Sequence, residues 1–454
     1  MDFRTFYENF KEEYVYLRDE KEKLPGPLTC EKANTMENDT IIRRIPETIL
    51  KRVREENWEY GQNKNIEESL EKLNNLLINS DKCTYEMLEC NIDIKFWNFL
   101  LSDFIKREIK ILNNTWLFNE YYFYRYLNCA YDFEKTNYDF FFYEKKKSII
   151  HNKDLIEEIC KCSKNLIEMY NNNPNDQVKI FSIFFFFSLW SNQFDLSWNA
   201  TKNKNEENQN DENDIKKKSL KQKKFSFDTK NIDHLYNSFY LENILDNDIS
   251  RIYKDMTSKK NKRFDIVLDN MGIELICDLC FLYFIYQYFD EIYIHTKKFP
   301  LFVSDNMTKD IKYTIDILSS DEQYPNSVFM AKNWKKLIDS NKWKVQDNVY
   351  WNLPLPYWIM PKTLLDEMKE CSFVCFKGDA NYRRCLGDLH FDFSKPSKDV
   401  LNYFPFSVIA LRCLKSPVCC GIDKSVVEEM NKRSTDWSNY GEYAILQYCS
   451  HNDK

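Results

Sequence analysis

Apolar positions recur every three to four residues at 66–77, 96–112 and 155–169. That spacing puts one face of an α-helix against a core. The run 180–190 is apolar almost throughout, broken only by serine. It falls short of the ~20 residues that cross a bilayer, so it predicts a buried core helix. A second apolar stretch, 273–289, carries Glu274 and Asp278 and reads the same way. Residues 1–198 are therefore expected to form a mostly helical N-terminal domain. The pattern stops at 199–226, where Asn, Glu, Asp and Lys dominate and apolar residues are almost absent. Such a segment buries too little surface to fold, which predicts a low-complexity, disordered insertion.

From 227 to 454 the pattern changes. Short unbroken apolar runs at 265–268, 291–295, 300–305, 372–377 and 407–412 read as strands, with a helix over 272–289 between the first two. Strands that are apolar on both faces and separated by helices predict a mainly parallel sheet covered on both sides. The expected class is α/β: a helical domain followed by a three-layer α/β/α domain.

In an open parallel sheet, ligands bind beyond the carboxyl ends of the strands. The run 265–268 ends in Asp269-Asn270, followed by Gly272 and Glu274. The run 300–305 ends in Ser304-Asp305. After 372–377 come Gly378, Asp379, Asn381, Tyr382 and Arg383, and the last run ends in Arg412 and Lys415. Carboxylates, an amide and several cations thus meet on one rim. Carboxylate and amide oxygens suit hard cations such as Mg²⁺ or Mn²⁺, and Asp269, Asn270 and Asp305 supply them. Arg383, Lys415 and Arg412 can neutralise phosphate oxygens. Together these groups suit phosphoryl transfer to water, where positioning and charge stabilisation carry most of the catalysis.

Composition narrows the alternatives. The net charge is -7 and the pI near 5.6, which gives no long-range pull toward nucleic acid or an anionic membrane. The N-terminus is polar and the fifteen cysteines are scattered, so a cytoplasmic protein with reduced thiols is expected, acting as a monomer. Only seven glycines are present, and none form G-x-G-x-x-G or a P-loop. Ordinary nucleotide-binding loops need those glycines for close backbone approach. Cys277 and Cys280 form a single C-x-x-C, which reads as core packing rather than zinc. The five histidines show no metal-binding spacing, and His390 reads as uninvolved. The stretch from Trp351 to Trp358 reads as a packed surface loop rather than the wall of a sugar pocket.

The same rim residues carry a family resemblance. The segment 268–275, with Asp278-Leu279 following, resembles the metal motif of the damage-control phosphatases, long filed as a domain of unknown function. Residues 376–383 through Gly387-Asp388 resemble the second motif of that family, and 405–415 its third. Upstream, Glu120 to Arg125 and Leu189 to Ser197 resemble its helical signatures. In detail the match is to the eukaryotic branch also called acidic-residue or protein-glutamate methyltransferase-like.

The resemblance implies a Rossmann-like form for the three-layer domain. It implies metal ligation by Asp269, Asn270 and Asp305, with Mn²⁺, Co²⁺, Ni²⁺ or Mg²⁺ as the ion. It also implies substrate contacts from Asp379, Asn381, Tyr382, Arg383 and Lys415. Glu274 matches a position assigned to the methyl donor, and Arg412-Cys413-Leu414-Lys415 stands where the family has Arg-Thr-x-Lys. The expected activity is metal-dependent hydrolysis of small phosphorylated metabolites, sugar phosphates such as fructose 1-phosphate or fructose 6-phosphate. S-adenosylmethionine-dependent methylation of protein glutamate and a non-catalytic binding role are the alternatives.

Overall fold

The computed structural model describes residues 3–19, 21–59, 63–89, 91–192, 227, 229–258 and 260–451. The expected insertion at 199–226 and the 193–197 part of the second helical signature lie outside the described residues. The strands are β1 (Tyr14–Tyr16), β2 (Ile244–Asn247), β3 (Asn261–Val267), β4 (Phe289–Thr296), β5 (Trp343–Asp347), β6 (Ile359–Pro361), β7 (Phe373–Lys377), β8 (Ser407–Cys413) and β9 (Ala444–Cys449). Seven of them form one sheet in the order β2-β9-β8-β7-β3-β4-β5. The five strands from β8 to β5 are mutually parallel, and β9 runs antiparallel to β8. The expected α/β class with a mainly parallel sheet is therefore present.

Both faces of the sheet are buried, and the alternation of side chains along each strand decides which face a residue serves. Ile266 and Leu268 face one core while Val267 faces the other. In β8, Val408 and Ala410 point one way and Ile409 and Leu411 the other. One core joins the sheet to α2 (Lys153–Asn172), α3 (Gln177–Ser191), α4 (Ile273–Ile285), α5 (Thr308–Ser319) and α6 (Pro325–Asp339). The other joins it to the N-terminal helices, including α1 (Trp116–Ala130). Each core thus draws on residues from both sides of the 199–226 segment.

The apolar run at 180–190 is the centre of α3, and every residue from Ile180 to Ser191 is buried. With no polar face, α3 is stable only between the sheet and its neighbouring helices. Among the described residues no helix is long and apolar enough to cross a membrane. Elsewhere the expected helices at 66–77 and 155–169 are present with slightly wider bounds, and the one at 96–112 ends at Lys106.

The run 300–305 is not a strand. Phe302 and Val303 have φ of 46° and 70°, so the chain turns twice through the left-handed region before Asp305. What the sequence offers as a strand is a tight loop laid across the carboxyl ends of β3 and β4. The stretch from Trp351 to Trp358 is packed as expected, but in the core rather than on the surface, because its aromatic rings are covered by the helical layer and the sheet.

Candidate active site

The order of the strands locates the site. From β3 the chain steps to β4 and β5 on one side, then returns to β7 and β8 on the other. The crevice between the carboxyl ends of β3 and β7 is the topological switch point, where open α/β sheets bind ligands. Asp269-Asn270 follows β3 directly, and Gly378-Asp379 follows β7 as the start of α7 (Gly378–Cys385).

The 300–305 loop closes over this crevice through two backbone hydrogen bonds. Met271 N–H donates to Ser304 O at 2.7 Å, and Asn306 N–H donates to Asp269 O at 2.8 Å. Asn270 and Asp305 are thereby paired as antiparallel neighbours. Backbone geometry alone brings Asp269, Asn270 and Asp305 side by side, although Asp305 lies 36 residues beyond Asp269. All three are buried.

Hydrogen bonds fix the orientation of each group. The Asn270 amide donates to Asp269 Oδ2 and Glu274 Oε2, both at 2.9 Å, and its Oδ1 accepts from Ser304 Oγ at 2.6 Å. That leaves Asn270 Oδ1 one further lone pair. Asn192 Nδ2 donates to Asp269 Oδ2 at 2.7 Å. Gly378 packs against the same carboxylate so closely that a Cβ there would lie 1.8 Å from Asp269 Oδ2. Two buried carboxylates and an amide oxygen form a donor set of hard ligands that fits a divalent cation. Cys277 and Cys280 are buried in the core that α4 forms with the sheet.

The cleft is lined by Asp269, Asn270, Asp305, Asp379, Arg383 and Lys415 on the sheet side. Helical residues that include Arg44, Trp116, Glu120 and Tyr124 close it from above. Arg383 places Nε and Nη2 on Asp388 at 2.7 and 3.1 Å and Nη1 on Glu120 at 2.7 Å, with its guanidinium 3.7 Å over the Trp116 ring. Three of its five N–H donors are engaged this way. Burial pushes the Glu120 carboxyl up, against the pull of Arg383. Lys415 donates from Nζ to Asn192 O at 2.5 Å.

Four of the expected site residues stand behind the cleft wall rather than in it. Arg412 donates to Asp379 at 2.8 Å and to Ser416 O at 2.9 Å, so it orients Asp379. Burial would raise the Asp379 carboxyl, and the charges of Arg412 and Arg383 together with hydrogen bonds from Arg412 and the Lys415 N–H outweigh it, holding the group below the usual carboxylate range. Asn381 donates to Lys377 O at 2.7 Å and accepts from Tyr357 Oη at 2.7 Å, which pins the start of α7. Tyr382 donates to Gln447 at 2.8 Å deep in the core. Glu274 is taken up by Asn270, by Asn192 at 3.0 Å and by Lys377 at 3.3 Å. Lys377 is held above its usual range: burial works against its charge, and Asp278 and Glu274 more than offset that. His390 is exposed and away from the cleft.

Two cations placed at or beside the cleft escaped the sequence reading. Lys297, buried, sits 3.5 Å from Asp305 and 3.4 Å from Asn381. It follows the end of β4, so the strand-end rule that exposed Asp269 also points to it. Arg44 reaches the cleft from a helix more than 200 residues earlier in the chain, where no local pattern marks it.

The family model for the damage-control phosphatase ARMT1-like domain matches residues 40–430. The protein named damage-control phosphatase ARMT1 from Homo sapiens is 27% identical over 465 residues, covering 94% of this chain and 98% of its own. Its namesake from Xenopus tropicalis is 28% identical over 402 residues, covering 82% and 84% respectively. A solved structure of a DUF89 family protein from Pyrococcus horikoshii aligns with 79% of this chain and 91% of its own at TM-score 0.38 and 13% identity. With the family model spanning both the helical roof and the strand-end cleft, the chain belongs to the damage-control phosphatase ARMT1-like family, a family of hydrolases.

Proposed function

We propose that this protein is a metal-dependent phosphomonoester hydrolase of small phosphorylated metabolites, with sugar phosphates such as fructose 1-phosphate and fructose 6-phosphate as substrates. The reading includes a cytoplasmic monomer that engages neither nucleic acid nor membrane. The observation that carries it is the backbone ladder that sets Asp269, Asn270 and Asp305 together at the switch point. These three residues would hold Mn²⁺, Co²⁺, Ni²⁺ or Mg²⁺. When bound, such an ion polarises a phosphoryl oxygen and lowers the pKa of a water.

The chain's own residues do the remaining work. Lys415 supplies a cation for the phosphate from the sheet side, and the two uncommitted N–H groups of Arg383 add a fork. Asp379, fixed by Arg412, and Glu120, fixed by Arg383, offer acceptors for substrate hydroxyls. The aromatic surfaces of Trp116 and Tyr124 keep bulk water away from the reacting end. Asn381, Tyr382 and Arg412 position this set from behind. Glu274 spends its carboxylate on Asn270, Asn192 and Lys377, which disfavours a role in holding a methyl donor.

Purified protein with each metal in turn is expected to release phosphate from fructose 1-phosphate or fructose 6-phosphate, and Asp269→Ala to abolish release. Robust turnover by Asp269→Ala would sink the site. Submicromolar binding of S-adenosylmethionine by metal-free protein, measured by calorimetry, would reverse the choice of chemistry.

A further inference from the structure

The roof of the cleft carries a cation selected by an uncommon helix geometry. Residues Thr40–Leu50 are wound as a π-helix with Pro46 inside it. Thr40, Arg44, Ile45 and Ile49 of this helix all line the cleft. Their spacing follows the roughly 4.4-residue turn of an i→i+5 helix. An α-helix repeats every 3.6 residues and would turn position 47 toward the cleft instead of 49. Glu47 is exposed. Arg43 points away and pairs with Asp39 at 2.6 Å on the outer surface. The winding thus sorts two adjacent arginines, one outward to a surface ion pair and one inward over the candidate metal ligands. π-Helical winding is rare, and its single-turn form is frequent at functional sites.

Charge in the cleft gives that arginine a task. The lining holds four carboxylates, Glu120, Asp269, Asp305 and Asp379, against three cations, Arg44, Arg383 and Lys415. Behind it, Asp388 on Arg383 and Arg412 on Asp379 offset one another, as do Glu274 and Lys377, while Lys297 lies 3.5 Å from Asp305. The lining itself is one charge negative, Lys297 offsets that charge from beside Asp305, and a divalent ion would leave the cluster positive toward a phosphomonoester dianion. Without Arg44 that surplus would be one charge smaller, and among the described residues the helical side of the lining would present no cation.

We propose that Arg44 is a substrate-binding residue that grips the non-bridging phosphate oxygens from the roof, opposite Asp269, Asn270 and Asp305. The inference rests on the phosphatase reading above and extends it to a second wall of the cleft. A planar guanidinium offers paired donors to phosphate, and the surrounding Trp116, Ile45 and Ile49 reduce competition from water. Substrate binding then ties the π-helix to the sheet.

The test uses the full chain with Mn²⁺ and compares Arg44→Met, Arg44→Lys and the neighbouring Arg43→Met. Binding of inorganic phosphate is measured by calorimetry, and KM and kcat by phosphate release. Arg44→Met is expected to weaken phosphate binding about 10- to 100-fold, the range of a lost charge-assisted hydrogen bond. KM should rise to match, with a smaller change in kcat. Arg44→Lys should recover part of the loss, because it keeps the charge and loses the fork. Arg43→Met should bind phosphate as the parent does. Parental phosphate affinity in folded Arg44→Met overturns the proposal. Should that variant not fold, Arg44→Lys decides: weaker binding supports the proposal and unchanged binding overturns it. The two readings fail separately. Parent protein that binds phosphate through Arg44 but hydrolyses no ester sinks the phosphatase reading alone, and active parent with an indifferent Arg44 sinks this inference alone.

Discussion

Replacing Gly378 with alanine tests whether the metal pole depends on a close approach between two strand ends. Gly378 has φ +81°, a region where an L side chain costs about 1–2 kcal/mol. Its added Cβ would lie 1.8 Å from Asp269 Oδ2 and 2.3 Å from Cγ, against the 3.0 Å that real Cβ contacts respect. The carboxylate must therefore shift by about 1.2 Å from the place where it stands beside Asn270 and Asp305. A displacement of about 1 Å in such a constellation costs roughly 100-fold, near 2.7 kcal/mol. Gly441→Ala is the control. It has φ +70°, but its nearest neighbours are the Lys415 side-chain carbons at 3.8 and 3.9 Å, so only the backbone cost applies. Thermal unfolding should show Gly378→Ala to be destabilised at least as much as Gly441→Ala. Calorimetry with Mn²⁺ should show a further loss of affinity of about 100-fold only in Gly378→Ala. Equal Mn²⁺ affinity in the two folded variants would refute the reasoning, because it would mean that Asp269 yields to the Cβ without leaving the metal.

Other predictions follow from the buried charges. Lys145 lies wholly buried between Asp139 at 3.1 Å and Asp310 at 2.8 Å. Lys145→Met leaves buried Asp310 without its cation and Asp139 with only the more distant Lys309 at 3.7 Å, and should cost about 3–5 kcal/mol in urea unfolding. Asp310 also accepts the Met307 N–H at 2.9 Å, just past Asp305, so Mn²⁺ affinity should fall as well. A cost below about 1 kcal/mol would show that the pair is not maintained in solution. Asp278 is pushed up to about 7, by burial first, against the pull of Lys377 and with Glu274 adding to the rise. Between the ordinary carboxylate pKa near 4 and this value, the native state binds more protons than the unfolded chain, so this group makes stability fall as pH rises. Asp278→Asn removes that titration, and its stability relative to the parent should improve from pH 4 to pH 7. A parent-to-variant difference that stays flat over that range would count against the shift.

Much of the site was legible because parallel α/β folds place function at strand ends. The run ending in Asp269-Asn270 and the one before Gly378-Asp379 each show an apolar stretch stopping at polar residues, and the structure sets both at the switch point. Asp305 was found for a partly mistaken reason. The sequence before it looked extended, while the chain takes two left-handed turns at Phe302 and Val303 to lay Asp305 beside Asn270. Burial sorted the rest: Arg412, Asn381, Tyr382 and Glu274 have the chemistry of ligand contacts, yet their partners are protein groups.

Hydrophobic periodicity by itself marked this chain as α/β with a mainly parallel sheet, since strands apolar on both faces and separated by helices need helical cover on both sides. It also marked α3 and α4 as core helices, because neither has a polar side to give to water. Tertiary structure alone decided which polar groups reach the cleft. The handover of Arg383 to Asp388 and Glu120, and the inward turn of Arg44 from a π-helix, depend on contacts between segments far apart in the chain. Side-chain chemistry is local and readable from sequence, whereas the burial and partnering that decide how it is used come from packing across the whole fold.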